Sequence, residues 1–420
     1  MVSLPKMYRI GQKLPRPKVE DVSLLVHKEL NKLGLDKKII KDKVIAITGG
    51  SRGITNIDLI YREVASFVKD KGGCPIIISA MGSHGGGTVE GQKEILSHLG
   101  VSEQTTDCPV IASTKVVELG KTPTHGVTVF CAEEAVEAHG IIVINRVKAH
   151  TAFRAARESG LLKMLGIGLG RAPGAESIHS HGPDEIGQII LELSRIVREK
   201  TNVLAGLAIV ENGYEETAML KALAPEEFEE EEAKLLDYSK ELMPRIPFED
   251  LDLLLIDEMG KNYSGTGMDT NVIGRWRIHG AKEPDIPSIN RIAVFDLSEA
   301  SQGNANGIGL VDFTTRRLVD KIDYKATYLN AITTGFTQRV MLPITLSSDK
   351  EVVETAIKTI AQKDLKDLKI VRIKNTLFLE ELYCSEALLK EIGQNKSLII
   401  KGGQECITFD EHGSFSNNEW

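Results

Sequence analysis

A chain of 420 residues exceeds what one ordinary hydrophobic core organises, so two domains are expected, each able to bury a stable interior. Hydrophobic residues make up 42 % and charged residues 26 %, with no low-complexity tract, which excludes a disordered or fibrous chain. A formal charge of −8, with no Lys/Arg cluster among aromatics, argues against a nucleic-acid partner, and any anionic substrate would need a local positive pocket. The five cysteines are widely spaced and form no CxxC pair, so neither a disulfide framework nor a zinc ribbon is indicated and a reducing compartment fits. The N-terminal stretch lacks the apolar region of a signal peptide and no run reaches transmembrane length; a cytoplasmic protein with no membrane partner is expected.

Short β-branched runs followed by amphipathic segments predict βαβ units and a mainly parallel sheet. Val44 to Thr48 reads as a buried strand, followed by a glycine-rich turn at Gly49, Gly50 and Gly53. Ile57, Ile60, Val64, Phe67 and Val68 then recur at helical spacing, and Gly72 and Gly73 end that helix. A second strand, Pro75 to Ser79, runs through MGSHGGGT into a helix with Thr88 as N-cap and Glu90 in its first turn. Ile141 to Val147 reads as a strand that delivers Lys148 and His150 to its carboxyl end, and Val203 to Val210 as another. Ligands of open α/β sheets bind at such ends. Residues 225–245 predict an acidic helix whose glutamates face solvent, and RIPFED after it marks a boundary. The expected domains are therefore 1–248 and 249–420, both α/β. Leu251 to Ile256 and Arg291 to Leu297 open the second, with GKNYSGTGMDTN as a glycine-rich loop.

Four side chains beside glycine-rich turns could carry chemistry: His84 in MGSHGGG, His150 in NRVKAHTAF, Lys163 in SGLLKMLGIG and His179 in ESIHSHG. Each also has a plain structural reading, as a turn histidine or a lysine snorkelling from an amphipathic helix. Gly85 to Gly87 would let a ligand approach the backbone beside His84, and the following helix N-terminus favours an anion. Lys163, set among Leu161, Leu162, Met164 and Leu165, would have a lowered pKa if desolvated, making its amine a usable nucleophile. His179 and His181 form an HxH pair that could bind a metal.

Together these motifs resemble the nickel-dependent lactate racemase family, whose members use a nickel-pincer nucleotide. The resemblance runs from TGGSRG near residue 50 to the loop near residue 265 and is strongest between residues 80 and 182. It implies two α/β domains with mainly parallel sheets and an active site in the cleft between them, the first domain carrying the cofactor and the second closing over the substrate. His84 and His150 match the two acid/base histidines, Lys163 the lysine joined to the cofactor through a thioamide, and His179 the nickel ligand. Ser83 and Gly85, in the His84 turn, and Asp269 and Asn271, in GMDTN, are implied to touch the cofactor. The cofactor so implied is the nickel complex of pyridinium-3-thioamide-5-thiocarboxylic acid mononucleotide, with one imidazole filling the fourth, square-planar position on nickel. Arg52 matches a substrate-side arginine whose fork suits a carboxylate. Gly274 and Arg277 stand where lactate racemases carry glutamine and lysine, so that Arg277 joins His84, His150 and Arg52 as an expected catalytic residue, and Gly49 replaces an acidic residue. The segment between His150 and Lys163 is also longer and adds Arg154 and Arg157. These departures point away from lactate, toward another 2-hydroxy acid or a sugar acid, racemised or epimerised by hydride transfer with two histidines exchanging the hydroxyl proton. The implied partners are that small anionic substrate and the proteins that make the cofactor, with a homo-oligomer possible in principle.

Three other readings compete. TGGSRGIT after VIAI imitates the cofactor turn of NAD(P)-dependent short-chain oxidoreductases, but Thr55 replaces the last glycine and no Tyr-x-x-x-Lys pair occurs. A zinc or nickel hydrolase could use the HxH pair with His84 or His150, though the turns supply no neighbouring carboxylate in sequence. A silent member that stores cofactor should have lost one of the paired histidines, and both are present.

Overall fold

Val44–Gly49 is a short run of β-branched and small residues without a charge, the composition of a strand covered on both faces. In the computed structural model, which describes residues 4–179, 181–360 and 364–416, it lies between parallel neighbours Cys74–Ser79 and Gly140–Arg146. Its side chains alternate as a strand requires: Ile45 and Ile47 join one apolar core and Ala46 the other. Val110–Ile111 flanks Cys74–Ser79, and Val203–Glu211 then Thr217–Leu223 complete the other side; only Thr217–Leu223 runs antiparallel in this six-stranded sheet.

Helices cover both faces. Val22–Asn31 and Ile57–Asp70 contribute Val26, Leu30, Ile60 and Val64 to one core. Pro183–Lys200 and Phe228–Leu242 contribute Ile189, Leu193, Leu235 and Leu236 to the other. The sequence expected residues 225–245 as a helix with solvated glutamates. The helix is there, but Glu232 is buried, 1 % exposed, while Glu230 is exposed. The antiparallel hairpin of Val116–Lys121 and Thr128–Ala132 was not anticipated.

The chain divides into two compact units, Pro15–Met243 and a second made of Met1–Leu14 with Pro244–Trp420. The second unit holds an eight-stranded sheet. Ile344–Leu346, Phe313–Thr315, Ser288–Leu297, Asp250–Met259 and Ile370–Ile373 run parallel, followed antiparallel by Glu381–Ser385, Lys6–Gln12 and Leu398–Cys406. Residues 6–12, grouped by sequence with the first domain, thus form a strand of this sheet. Among the described residues, no helix is long and apolar enough to cross a membrane.

One glycine sets how closely the first unit packs. A Cβ on Gly206, in Val203–Glu211, would fall 2.6 Å from both Leu161 Cδ1 and Phe228 Cζ, far inside van der Waals contact. Gly206→Val should therefore destabilise the chain by about 1–3 kcal/mol, the usual effect of overpacking, read as a lowered urea midpoint; an unchanged midpoint would show that Leu161 and Phe228 are free to move aside.

Candidate active site

In the six-stranded sheet the strand order reverses between Val44–Gly49 and Gly140–Arg146, since the chain first builds outward to one side and then to the other. The loops leaving these two carboxyl ends diverge, and such a point is where open α/β sheets leave a crevice. Gly49, Gly50, Ser51 and Arg52 leave one strand; Val147, Lys148 and His150 leave the other.

The His84 turn packs against the first of these loops. Ala80 donates its N–H to Gly49 O at 2.8 Å, and Gly82 donates to Gly168 O at 3.3 Å, joining the turn to the segment after Lys163. His84 Nδ1 lies 2.8 Å from Met81 O and 2.9 Å from Ser51 Oγ, and Nε2 lies 3.3 Å from Arg52 Nη2. A carbonyl only accepts, so the pattern assigns the ring proton to Nδ1 and leaves Nε2 as the acceptor facing Arg52. A neutral imidazole with a free-electron-pair nitrogen turned toward a cation follows. Beyond it, Gly85, Gly86 and Gly87 all have φ near +65°. A Cβ on Gly85 would sit 2.5 Å from Gly91 C, so the turn closes tightly on the helix Val89–His98, whose N-cap Thr88 accepts from Gly91 N as expected.

Lys163 ends a helical turn, Leu161–Lys163, that continues as a π-turn, Met164–Gly168, closed by Leu169 N donating to Met164 O at 2.9 Å. π-turns are uncommon and cluster at functional positions. The flanking Leu161, Leu162 and Leu165 are fully buried. The Lys163 ammonium is accordingly disfavoured: desolvation first, then the charge of Arg52, pull its pKa down to about 7, against an opposing pull from Glu158. The Arg52 side chain is open to solvent along part of its surface, yet enough protein crowds its guanidinium that desolvation, and then the charge of Arg146, lower its pKa. Glu232 holds the start of the lysine turn, accepting the Leu162 N–H at 3.0 Å, and burial pushes its carboxyl up to about 7. That hydrogen bond is the reason one glutamate of the acidic helix turns inward.

His150 lies in a loop closed by Lys148 and Ser159, which exchange backbone hydrogen bonds of 3.0 and 3.2 Å. Its backbone N–H donates to Glu158 Oε2 at 2.6 Å. Ala152 N donates to its Nδ1 at 3.2 Å, and its ring lies 4.3 Å from that of Phe153. Arg154 donates to His150 O at 2.7 Å, and Arg157 to Glu229 O at 2.5 Å, so the additional arginines tie the loop down.

Of the residues singled out by sequence, Arg52 and His84 are in direct contact, Arg52 and Lys163 interact electrostatically, and His150 joins through Glu158, which Lys163 also feels. His179 ends the helix Arg171–His179, and its side chain lies outside the described residues. His181 is packed perpendicular to His125 with ring centroids 6.0 Å apart, and His125 Nδ1 stands 3.3 Å from Glu192. In the second unit, Asp269 caps the short helix Thr270–Ile273, its Oδ1 accepting from both Asn271 N and Nδ2 at 2.9 and 2.8 Å. Arg277 there forms an ion pair with Asp312 at 3.2 Å.

Sequence reasoning missed Arg146, Glu158, Glu211 and Glu232. Glu211 pairs with Arg146 through one oxygen and accepts Thr55 N through the other at 2.7 Å, clamping both loops of the reversal point. A carboxylate or arginine at the last position of a strand, as Arg146 and Glu211 are, was the available signal.

Residues 40–222 match a family described as a domain of unknown function, DUF362. No curated protein matches in sequence. Among solved structures, a protein from Thermotoga maritima is similar with a TM-score of 0.52 at 14 % identity, over 78 % of this chain and 83 % of that one. The lactate racemase apoprotein from Thermoanaerobacterium thermosaccharolyticum is similar with a TM-score of 0.52 at 12 % identity, over 88 % of this chain and 98 % of that one. At these identities what is shared is the fold, a mixed α/β architecture with mostly parallel sheets.

The lysine supplies a direct test. Labelling of the full chain with an amine-reactive reagent, followed at the Lys163 peptide, should rise with pH through a midpoint near 7, because only the free amine reacts. A midpoint near that of ordinary lysines, about 10.4, would show that the amine is solvated.

Proposed function

We propose that this chain is a racemase or epimerase of a 2-hydroxy acid, or a related hydroxy or sugar acid, that works with a lysine-tethered nickel-pincer nucleotide. The observation that carries the reading is the gathering of Arg52, His84 and Lys163, with His150 tied in by Glu158, at the reversal point of one parallel sheet. The likeness in fold to a lactate racemase apoprotein supports it.

The residues fit such a group. Near neutral pH a large share of the Lys163 amine is unprotonated, as thioamide formation on an activated acyl carbon demands. A Cβ on Gly86 would meet nothing within 4 Å, so the turn beside His84 leaves room at the backbone. Lys163 would tether the nucleotide and His179 would ligate its nickel. Once bound, the group would accept hydride from the substrate carbon and return it.

The side chains then divide the remaining work. Arg52 offers a guanidinium fork to the substrate carboxylate, already oriented by its contact with His84. His84, neutral with Nε2 as acceptor, takes the hydroxyl proton as the hydrogen on the same carbon departs. His150 returns a proton when the carbon is rebuilt from the opposite face, and the roles exchange in the reverse direction. Water exclusion falls to the apolar residues that already desolvate Lys163.

Protein produced together with the cofactor-synthesis proteins should show a mass adduct, with nickel at about one per chain, both lost in Lys163→Ala. His84→Ala and His150→Ala should keep the adduct yet each reduce interconversion of a 2-hydroxy acid pair by roughly 100-fold or more. An unmodified, nickel-free wild-type chain under those conditions sinks the cofactor assignment; full activity in either histidine variant sinks the two-base assignment.

A further inference from the structure

We propose that Glu158 is a positioning residue for this site, fixing the His150 loop with one carboxylate oxygen while Lys240 holds the other, so that a buried negative charge is kept in a set place beside the Lys163 turn. The inference goes beyond the cofactor reading, because it concerns the lysine as an amine and stands whether or not Lys163 carries a nucleotide.

Glu158 is 1 % exposed, and a carboxylate so placed must be matched by specific partners. Oε2 receives the His150 N–H at 2.6 Å, with Arg154 Nη1 at 3.7 Å; Oε1 forms an ion pair with Lys240 Nζ at 2.9 Å, held by charge and not by an aligned hydrogen bond. Three residues on, Leu161 begins the turn that carries Lys163. One carboxylate therefore joins the strand-end loop of His150, the lysine turn and the helix Phe228–Leu242. That helix reaches the site twice, since Glu232 accepts the Leu162 N–H and Lys240, eight residues later, holds Glu158. It acts as a brace, with Leu235 and Leu236 buried between the two polar contacts.

The charged groups that act on the Lys163 amine are Arg52, which disfavours its protonation, and Glu158, which favours it. Arg154 from its own loop and Lys240 from the brace face Glu158, and Lys163 feels its charge. The charge of Glu158 thus acts on Lys240 and on the amine, so that removing Glu158 and removing Lys240 should move the amine in opposite senses. Simple loosening of the fold predicts something else: water reaching Lys163 would raise its midpoint toward that of an ordinary lysine in every variant.

The experiment is amine labelling at the Lys163 peptide as a function of pH, on the metal-free full-length chain, in Glu158→Gln, Lys240→Met and Lys240→Arg. Glu158→Gln should shift the midpoint down, so that labelling at pH 6 is faster than wild type by roughly threefold or more, as expected when an opposing charge is removed. Lys240→Met should shift it up and slow labelling at the same pH, and Lys240→Arg should restore the wild-type profile. A Glu158→Gln midpoint that stays put or moves up overturns the proposal. Should that variant fail to fold, the Lys240 pair decides with the urea midpoint read alongside: an upward shift at an unchanged urea midpoint, reversed by arginine, supports the role, whereas no shift, or a shift that comes with a lowered urea midpoint, removes it.

Discussion

Like charges forced together at the carboxyl end of one parallel sheet set the terms for the first unit. Desolvation first, and then the charge of Arg146, disfavour the protonated form of Arg52, while desolvation and then the charge of Arg52 do the same to Lys163. Three different responses follow. Arg146 takes a dedicated carboxylate, Glu211. Lys163, whose free base is a stable species, has its pKa drawn down to about 7. Arg52 cannot do so and keeps its charge, turning its guanidinium to the electron pair of the neutral His84. Of the two arginines, Arg52 is the one for which the described residues show no carboxylate contact, and it is the one that the proposed function turns toward an anionic substrate.

Close packing lets those charges meet. Gly50 brings the first loop to within 3.1 Å, at a built Cβ, of Met164 Cε beside Lys163. Gly160 lets Glu232 approach so near that a Cβ would fall 2.4 Å from its carboxyl carbon. Gly206 opens the sheet surface to Leu161 and Phe228. At each of these positions a side chain would push the lysine turn away from its partners, and interiors relax only partly when overfilled. Precise placement of a functional group on a fold comes from this supporting layer as much as from the reacting residues.

The parts of this arrangement that could be read from sequence are those encoded locally. Strand Val44–Gly49, helix Ile57–Asp70 and the Thr88 N-cap follow from periodicity and capping chemistry over a few residues. Desolvation of Lys163 was legible in its leucine and methionine neighbours. What escaped depends on distant partners. Lys6–Gln12 is a strand only because Glu381–Ser385 and Leu398–Cys406, nearly four hundred residues on, flank it. Glu232 looks like one more glutamate in an acidic run until its hydrogen bond to Leu162, seventy residues earlier, is seen. Glu158 carries no motif, since its role is defined by His150, Lys163 and Lys240 meeting in space.

Two of the buried groups also bear on why such a site is kept near a balance point. Glu232 has its pKa raised from 4.5 to about 7, so its contribution to stability is full below 4.5 and is lost as pH rises through 7. Lys163 has its pKa lowered from 10.5 to about 7, so its contribution is full above 10.5 and is lost as pH falls through 7. The two slopes are opposite and meet at neutrality, where the pair gives least support to the fold. At that same pH the amine is available as a free base, and a site built for reactivity is commonly one that the rest of the protein must hold in place. The brace helix Phe228–Leu242 is suited to that task, because it attaches at Leu162 within the lysine turn and at Glu158 just before it while burying Phe228, Leu235, Leu236 and Leu242 in the core, and apolar burial does not titrate.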